Sequence, residues 1–256
     1  MTDETGASAP TRRVRITMSY DGTNYSGSQM QPTGPTIQSE VEGALARLLD
    51  APVRIRTAGR TDAGVHALEQ VADFADHGRR DLATIVKGGN ALLPPDIRIL
   101  SAAEVPMEFD ARRHATRKEY RYFLHVAPVC SPFFARHAWH FEKPLDLDAM
   151  REGMAHLVGE HDFTTFRASG CSARDPVRRI ASAALSGRVP GLWSVDLVGS
   201  GFLRHMVRNI VGTLADVGRG KISPGRVGEL LQSRDRTQAG MTAPAHGLFL
   251  WKVWYE

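Results

Sequence analysis

The sequence predicts an α+β fold, with a mixed and mainly antiparallel sheet flanked by helices and arranged as two similar lobes. Two observations lead there. Short runs alternate apolar and polar residues, as half-buried strands do, and they are separated by segments with apolar residues at helical spacing. The second half of the chain then repeats the strand–helix–strand order of the first, with short, hairpin-like joins.

Val14 to Tyr20 alternates and reads as the first strand, followed by a turn-rich stretch from Asp21 to Pro35. Ile37, Val41, Ala44, Leu45 and Leu48 recur at the spacing of one helix face. Val53 to Thr57 alternates again, and a further strand is expected over Leu68 to Phe74. Asp81 is placed to cap a helix carrying Leu82, Ile85 and Val86, which must end before Pro94-Pro95. In the second half, Tyr120 to Val126 reads as a strand and Leu147, Met150, Met154 and Leu157 as a helix. Leu192 to Val198 is expected to be a strand that enters a helix over Phe202 to Val217. Ser223-Pro224 starts another helix, with Val227, Leu230 and Leu231 facing inward, and Leu248 to Tyr255 closes as a strand. Residues 1–11 are small, polar and partly acidic, lack the apolar core of a signal peptide, and are expected to be a disordered tail. The lobes are expected over 12–110 and 111–256.

With 42% hydrophobic and 23% charged residues, the composition is that of a globular protein. No stretch approaches the roughly eighteen apolar residues of a membrane-spanning helix. Cys130 and Cys171 are the only cysteines, which argues against a disulfide framework and for a cytoplasmic protein. The net charge of +4 is concentrated in two places. Phe109 to Arg121 and Arg167 to Arg179 each carry a net +3, almost all of it arginine. Guanidinium groups bind phosphates in a planar fork and stack on bases, so both clusters suit a nucleic acid.

Gly59-Arg60-Thr61-Asp62-Ala63-Gly64 holds a cation, a hydroxyl and a carboxylate between two glycines, in a connection between strands. Loops carried by a rigid sheet are where catalytic groups gather. An isolated Asp in such a place would most simply bond its own turn. The other suggestive patterns are weaker. Gly199-Ser200-Gly201 enters a helix, but Arg204 stands where a dinucleotide fingerprint needs its third glycine. His137 and His140 lack the further ligands of a zinc site, and His66 and His205 read as hydrogen-bonded support.

Ala58 to Ala67 resembles the signature of TruA-type tRNA pseudouridine synthases. The likeness extends from Tyr20-Asp21-Gly22-Thr23 through Lys118 to Tyr122, Asp162 to Arg167 and His205 to Gly212, as far as His246-Gly247-Leu248. The resemblance implies two lobes with a central RNA-binding cleft, and the conversion of uridine to pseudouridine without a cofactor or metal. Asp62 matches the family's nucleophilic aspartate, whose charged form a nearby guanidinium favours. Arg208 matches the arginine in that part and is expected on one helix face with Arg204, one turn earlier. Tyr120 matches the tyrosine beside the target uracil, and Arg60 an arginine that fills the gap left by the flipped base. Arg80 matches a basic position used on tRNA. Phe109, Asp110, Ala111, Arg112 and Arg113, and Gly170, Cys171, Ser172, Ala173 and Arg174, align with RNA-contacting segments. The resemblance further implies the tRNA anticodon stem-loop as substrate, around nucleotides 38 to 40, and a homodimer. One departure stands out: Gly27-Ser28-Gln29 occupies a place where the family usually has Gly-Trp-Gln.

Two other functions would fit parts of the pattern. A noncatalytic RNA-binding module accounts for the basic clusters but not for the Asp62 carboxylate. A glycosidase also attacks an anomeric carbon but normally needs two carboxylates, and the only nearby partner is Glu69.

Overall fold

The computed structural model describes residues 10–171 and 173–256, so most of the expected tail and Ser172 lie outside the described residues. Thr11, placed in the tail by its sequence, already donates its N–H to the Asp76 carbonyl at 2.9 Å. The chain divides into two compact units. One runs to Thr116 and takes back Lys252–Glu256; the other spans Arg117–Trp251.

In the first unit, β1 (Arg12–Tyr20) pairs antiparallel with both β3 (His66–Asp76) and β4 (Ile97–Val105). A two-residue strand, β2 (Arg56–Thr57), adds to β3. The alternation read in β1 is real: Val14, Ile16 and Met18 are fully buried, with Tyr20 nearly so. Over this sheet lie α1 (Ile37–Leu49) and α2 (Leu82–Leu92). Thr36 and Ser39 form a reciprocal capping box at the start of α1, and Asp81 accepts the Thr84 N–H at 2.6 Å at the start of α2. Gly89 is buried where a Cβ would stand 2.7 Å from Ile99 Cδ1, which brings α2 close to β4.

β4 was not foreseen. After Ile97 and Ile99 its alternation dissolves into exposed or half-exposed small residues, and its register with β1 slips between Thr17 and Met18, leaving Leu100 opposite no partner. Asn90 of α2 holds the slip, exchanging two hydrogen bonds of 2.8 Å with the Ile99 backbone. The strand expected over Val53 to Thr57 shrinks to β2 for a related reason. The Ile55 N–H is taken by the buried Glu42 carboxylate of α1 at 3.0 Å, which leaves it no strand partner to seek.

The second unit is built on β5 (Arg117–Val126), β9 (Leu192–Gly199), β8 (Val177–Val189) and β7 (Gly159–Asp162), antiparallel and neighbouring in that order. Short β6 (Trp139–Phe141) runs parallel to β5. Its helices are α3 (Leu147–Ala155), α4 (Met206–Gly218) and α5 (Arg226–Ser233). Helix α4 is buried along most of its length. Gly212 lets the following chain cross it, for a Cβ there would stand 1.7 Å from the Met241 carbonyl. The last strand, β10 (Leu248–Trp254), carries the chain from the second unit back into the first.

Helix α4 starts at Met206 rather than Phe202, because His205 takes the left-handed conformation (φ 60°) that a continuous helix cannot contain. Arg204 therefore lies outside the helix, and the expected shared helical face of Arg204 and Arg208 does not form. β8 was also missed. Only Ile180 and Leu185 of its thirteen residues are buried, and small residues fill most of its middle.

Candidate active site

The loop between β2 and β3 sets Asp62 on a held backbone in the first unit. Thr61 is buried, and its hydroxyl lies 2.9 Å from the Tyr20 hydroxyl at the end of β1. Gln70 of β3, fully buried, donates to the Gly59 carbonyl at 2.8 Å. Burial raises the Tyr20 phenol, outweighing its bonds to Thr61 and Gln70, so it stays neutral under the loop. Past Asp62 the chain turns back, with the Val65 N–H donating to the Asp62 carbonyl at 3.1 Å and Gly64 in the left-handed region (φ 77°). Gly22 lies flat against this turn, where a Cβ would stand 2.1 Å from the Val65 carbonyl. Its N–H donates to Nδ1 of buried His66 at 3.1 Å, which ties His66 to the Gly22 backbone. Asp62 itself is half-buried and Arg60 exposed.

The loop is also gripped from Ser28. Its N–H donates to the Thr61 carbonyl at 3.0 Å, and its hydroxyl accepts the Thr61 N–H at 2.8 Å. Ser28 is 2% exposed, so the segment where an aromatic was missing is closely packed.

The remaining expected residues of this unit fall into two places. Arg80 is exposed just before α2, and its carbonyl accepts a hydrogen bond from Arg12. Phe109 and Ala111 turn inward. Phe109 packs against Tyr255 with ring centroids 5.3 Å apart, and Ala111 donates to buried Asp73 at 2.8 Å. Between them, partial burial pushes the Asp110 carboxyl up. The N–H groups of Arg113 and Arg112 and the charges of Arg56 and Arg113 overcome this and hold it below the usual range. The segment's two solvent-facing side chains are thus the guanidinium groups of Arg112 and Arg113.

In the second unit Tyr120 lies on β5, largely buried and edge-on to Phe202 at 5.0 Å. Arg208 occupies the first turn of α4 and donates from Nε to the Ala243 carbonyl at 2.8 Å. His246, near enough to feel the Arg208 charge, is held below the usual histidine range. Burial is the main cause, opposed by its bond to the Ala138 carbonyl and reinforced by His137 and Arg208.

Gly170 and Cys171 follow a short 3-10 turn, with Gly170 at φ 71°, and Arg174 is exposed. Burial pushes the Cys171 thiol up, but the N–H groups of Ala173 and Arg204 and the charges of Arg167 and Arg178 bring it below its usual value. Beside this segment opens a cavity of about 560 Å³, lined by Arg167, Arg204, Arg234 and Arg236 among others. Arg234 and Arg236 belong to no motif or basic cluster of the sequence. They lie far along the chain from the second basic cluster, and only the fold gathers them beside Arg167.

A family model described as tRNA pseudouridine synthase matches residues 16–112 and 154–256. The chain belongs to the tRNA pseudouridine synthase family. It is 49% identical over 244 residues to tRNA pseudouridine synthase A of Pelobacter propionicus, covering 95% of this chain and 100% of that protein. The enzyme of the same name from Geobacter sulfurreducens is 49% identical over 242 residues, covering 94% of this chain and 99% of its own. That of Myxococcus xanthus is 46% identical over 244 residues, covering 95% and 92%. Asp62 and Arg60 fall in the first stretch matched by the family model and Arg208 in the second, whereas Arg113 and Tyr120 fall between them.

Proposed function

We propose that this chain isomerises uridine to pseudouridine in tRNA, with Asp62 as the nucleophile. The observation that carries the reading is the held loop. Thr61 and Gly59, flanking Asp62 and Arg60, are tied to Ser28, Tyr20 and Gln70, while the Asp62 side chain keeps access to solvent. A carboxylate on such a support is already oriented for attack, which is the larger part of what a catalytic group needs. The reaction breaks the bond from the ribose anomeric carbon to N1 and makes one to C5. A proton leaves C5 and one is gained at N1. No electrons are exchanged, so the chemistry calls for a nucleophile that can be released and a group to move a proton.

Tyr120 supplies the ring beside the uracil and Arg208 the cation that favours the ionised carboxylate. Arg60 fills the space of the extruded base, whose extraction costs a few kcal/mol. Arg80, Arg112, Arg113 and Arg174, all exposed, suit the phosphates of an RNA, and the arginine-lined cavity of the second unit adds to the same field. By its resemblance the enzyme acts on the anticodon stem-loop at positions 38, 39 and 40, as a homodimer. Two free thiols suit a reducing cytoplasm.

The test uses tRNA transcripts carrying tritium at uracil C5. The reading expects label released to water in step with pseudouridine, confined to the anticodon stem-loop. Release of free uracil would indicate glycosidase chemistry, and binding without release a noncatalytic module.

A further inference from the structure

We infer that Ser28 is a positioning residue for Asp62, acting through the backbone of Thr61. The inference rests on the reading of Asp62 as nucleophile. Ser28 meets Thr61 at both backbone groups: its N–H donates to the carbonyl at 3.0 Å and its Oγ accepts the N–H at 2.8 Å. Both residues are buried, so water does not compete for either bond. Two bonds on opposite sides of one residue fix both peptide planes that flank Thr61, the second of which leads into Asp62. Gly27 closes the contact. It is left-handed at φ 109°, and a Cβ on it would lie 3.1 Å from the Thr61 carbonyl and 3.4 Å from the Ala63 N–H.

The grip has a rigid anchor. The Gly27 carbonyl accepts the Ile37 N–H at 3.2 Å and the Ser28 carbonyl the Gln38 N–H at 3.0 Å. These are among the first N–H groups of α1, which have no partner within the helix. The start of a capped helix thus holds residues 27–28, and residues 27–28 hold the loop. The hydroxyl is the one side-chain group in this relay. Without it the Thr61 N–H faces a buried gap and the Arg60–Thr61 peptide loses its hold, leaving the Thr61–Asp62 peptide held by the Ser28 N–H alone.

Ser28→Ala and Ser28→Cys test this. Alanine deletes the acceptor, while cysteine, slightly larger, offers only a weak one. Both are expected to lower kcat at least tenfold while KM for tRNA stays within about threefold, because loss of orientation at the reacting atom leaves binding of the RNA intact. A fold defect would likewise lower the apparent kcat at unchanged KM, so kcat is taken per folded enzyme, with the folded fraction of each variant read from its circular dichroism and urea midpoint. Parental kcat in either variant overturns the inference. Amide exchange of the parent gives a second reading that needs no variant. The Thr61 N–H is expected to exchange far more slowly than the exposed amides of a surface turn, and equal rates overturn the proposed grip. Asp62→Asn, measured alongside, separates the two ideas. Turnover by that variant defeats the nucleophile assignment, whereas Thr61 exchange reports on the grip alone.

Discussion

Arg208 and Ala243 are joined by a reciprocal pair of hydrogen bonds. Arg208 Nε donates to the Ala243 carbonyl at 2.8 Å, and the Ala243 N–H donates to the Arg208 carbonyl at 3.1 Å. One edge of the guanidinium is thereby fixed, and the plane of the group is set before any substrate arrives.

Arg208→Met should therefore lower turnover at least tenfold, equivalent to about 1.4 kcal/mol of barrier. Arg208→Lys should not restore it, because an ammonium on a flexible stem cannot reproduce a fork held at one edge. The melting temperature should move much less than for a core truncation, since a half-buried arginine is replaced by an apolar chain of similar length. Near-parental turnover by Arg208→Met would remove Arg208 from the machinery, whereas near-parental turnover by Arg208→Lys would mean that the charge suffices without the fork.

Asp62→Asn should abolish pseudouridine formation and leave tRNA affinity within about threefold, because the amide keeps the shape and loses the nucleophile. Filter binding and tritium release on the same preparation measure both. Sustained turnover by an uncontaminated sample would end the assignment.

Arg112→Ala with Arg113→Ala should weaken tRNA binding and flatten its salt dependence. For every phosphate that is no longer neutralised, the slope of log K against log salt becomes shallower by roughly 0.7 to 0.9. Both side chains face solvent while Phe109 and Ala111 are buried, so the fold should survive the change. An unaltered slope would mean that this face does not meet RNA.

Asp110 offers a test of stability against pH. Its carboxyl is held below the usual range in the folded state. A depressed group contributes stability above its unfolded pKa, about 3.9, and loses it as pH falls through the folded value. Asp110→Asn should thus lower stability near pH 6, with the gap to the parent closing in acid well below the free-carboxyl value of about 3.9. Urea midpoints at the two pH values measure this, and a gap that persists in acid would assign the loss to packing instead.

Much of this could be read from the residues alone, for identifiable reasons. The helices announce themselves by one-sided apolar spacing, and α2 also by Asp81, all of which are local signals. β4 and β8 were hidden because what makes them strands is their neighbours. Asn90 braces a register slip in one, and the other is largely exposed and built of small residues. The start of α4 was misread because the apolar spacing continues through His205, whose left-handed backbone leaves no trace in composition. Asp62 stood out through its glycine-flanked motif. Ser28 registered only as a missing aromatic, since its partner Thr61 lies thirty-three positions away and only the fold brings the two together.

The return of Lys252–Glu256 to the first unit bears on how the molecule is made. Tyr255 donates its hydroxyl to the Ala111 carbonyl at 2.6 Å, and the Trp254 carbonyl accepts the Thr116 N–H at 2.9 Å. Both bonds close over the segment that carries Arg112 and Arg113. A ribosome that has delivered everything up to Thr116 has therefore delivered an unfinished unit. Its completion waits for the whole of Arg117–Trp251 to be synthesised. The segment from Ala111 to Thr116 is thus secured only after the last residues of the sequence have emerged.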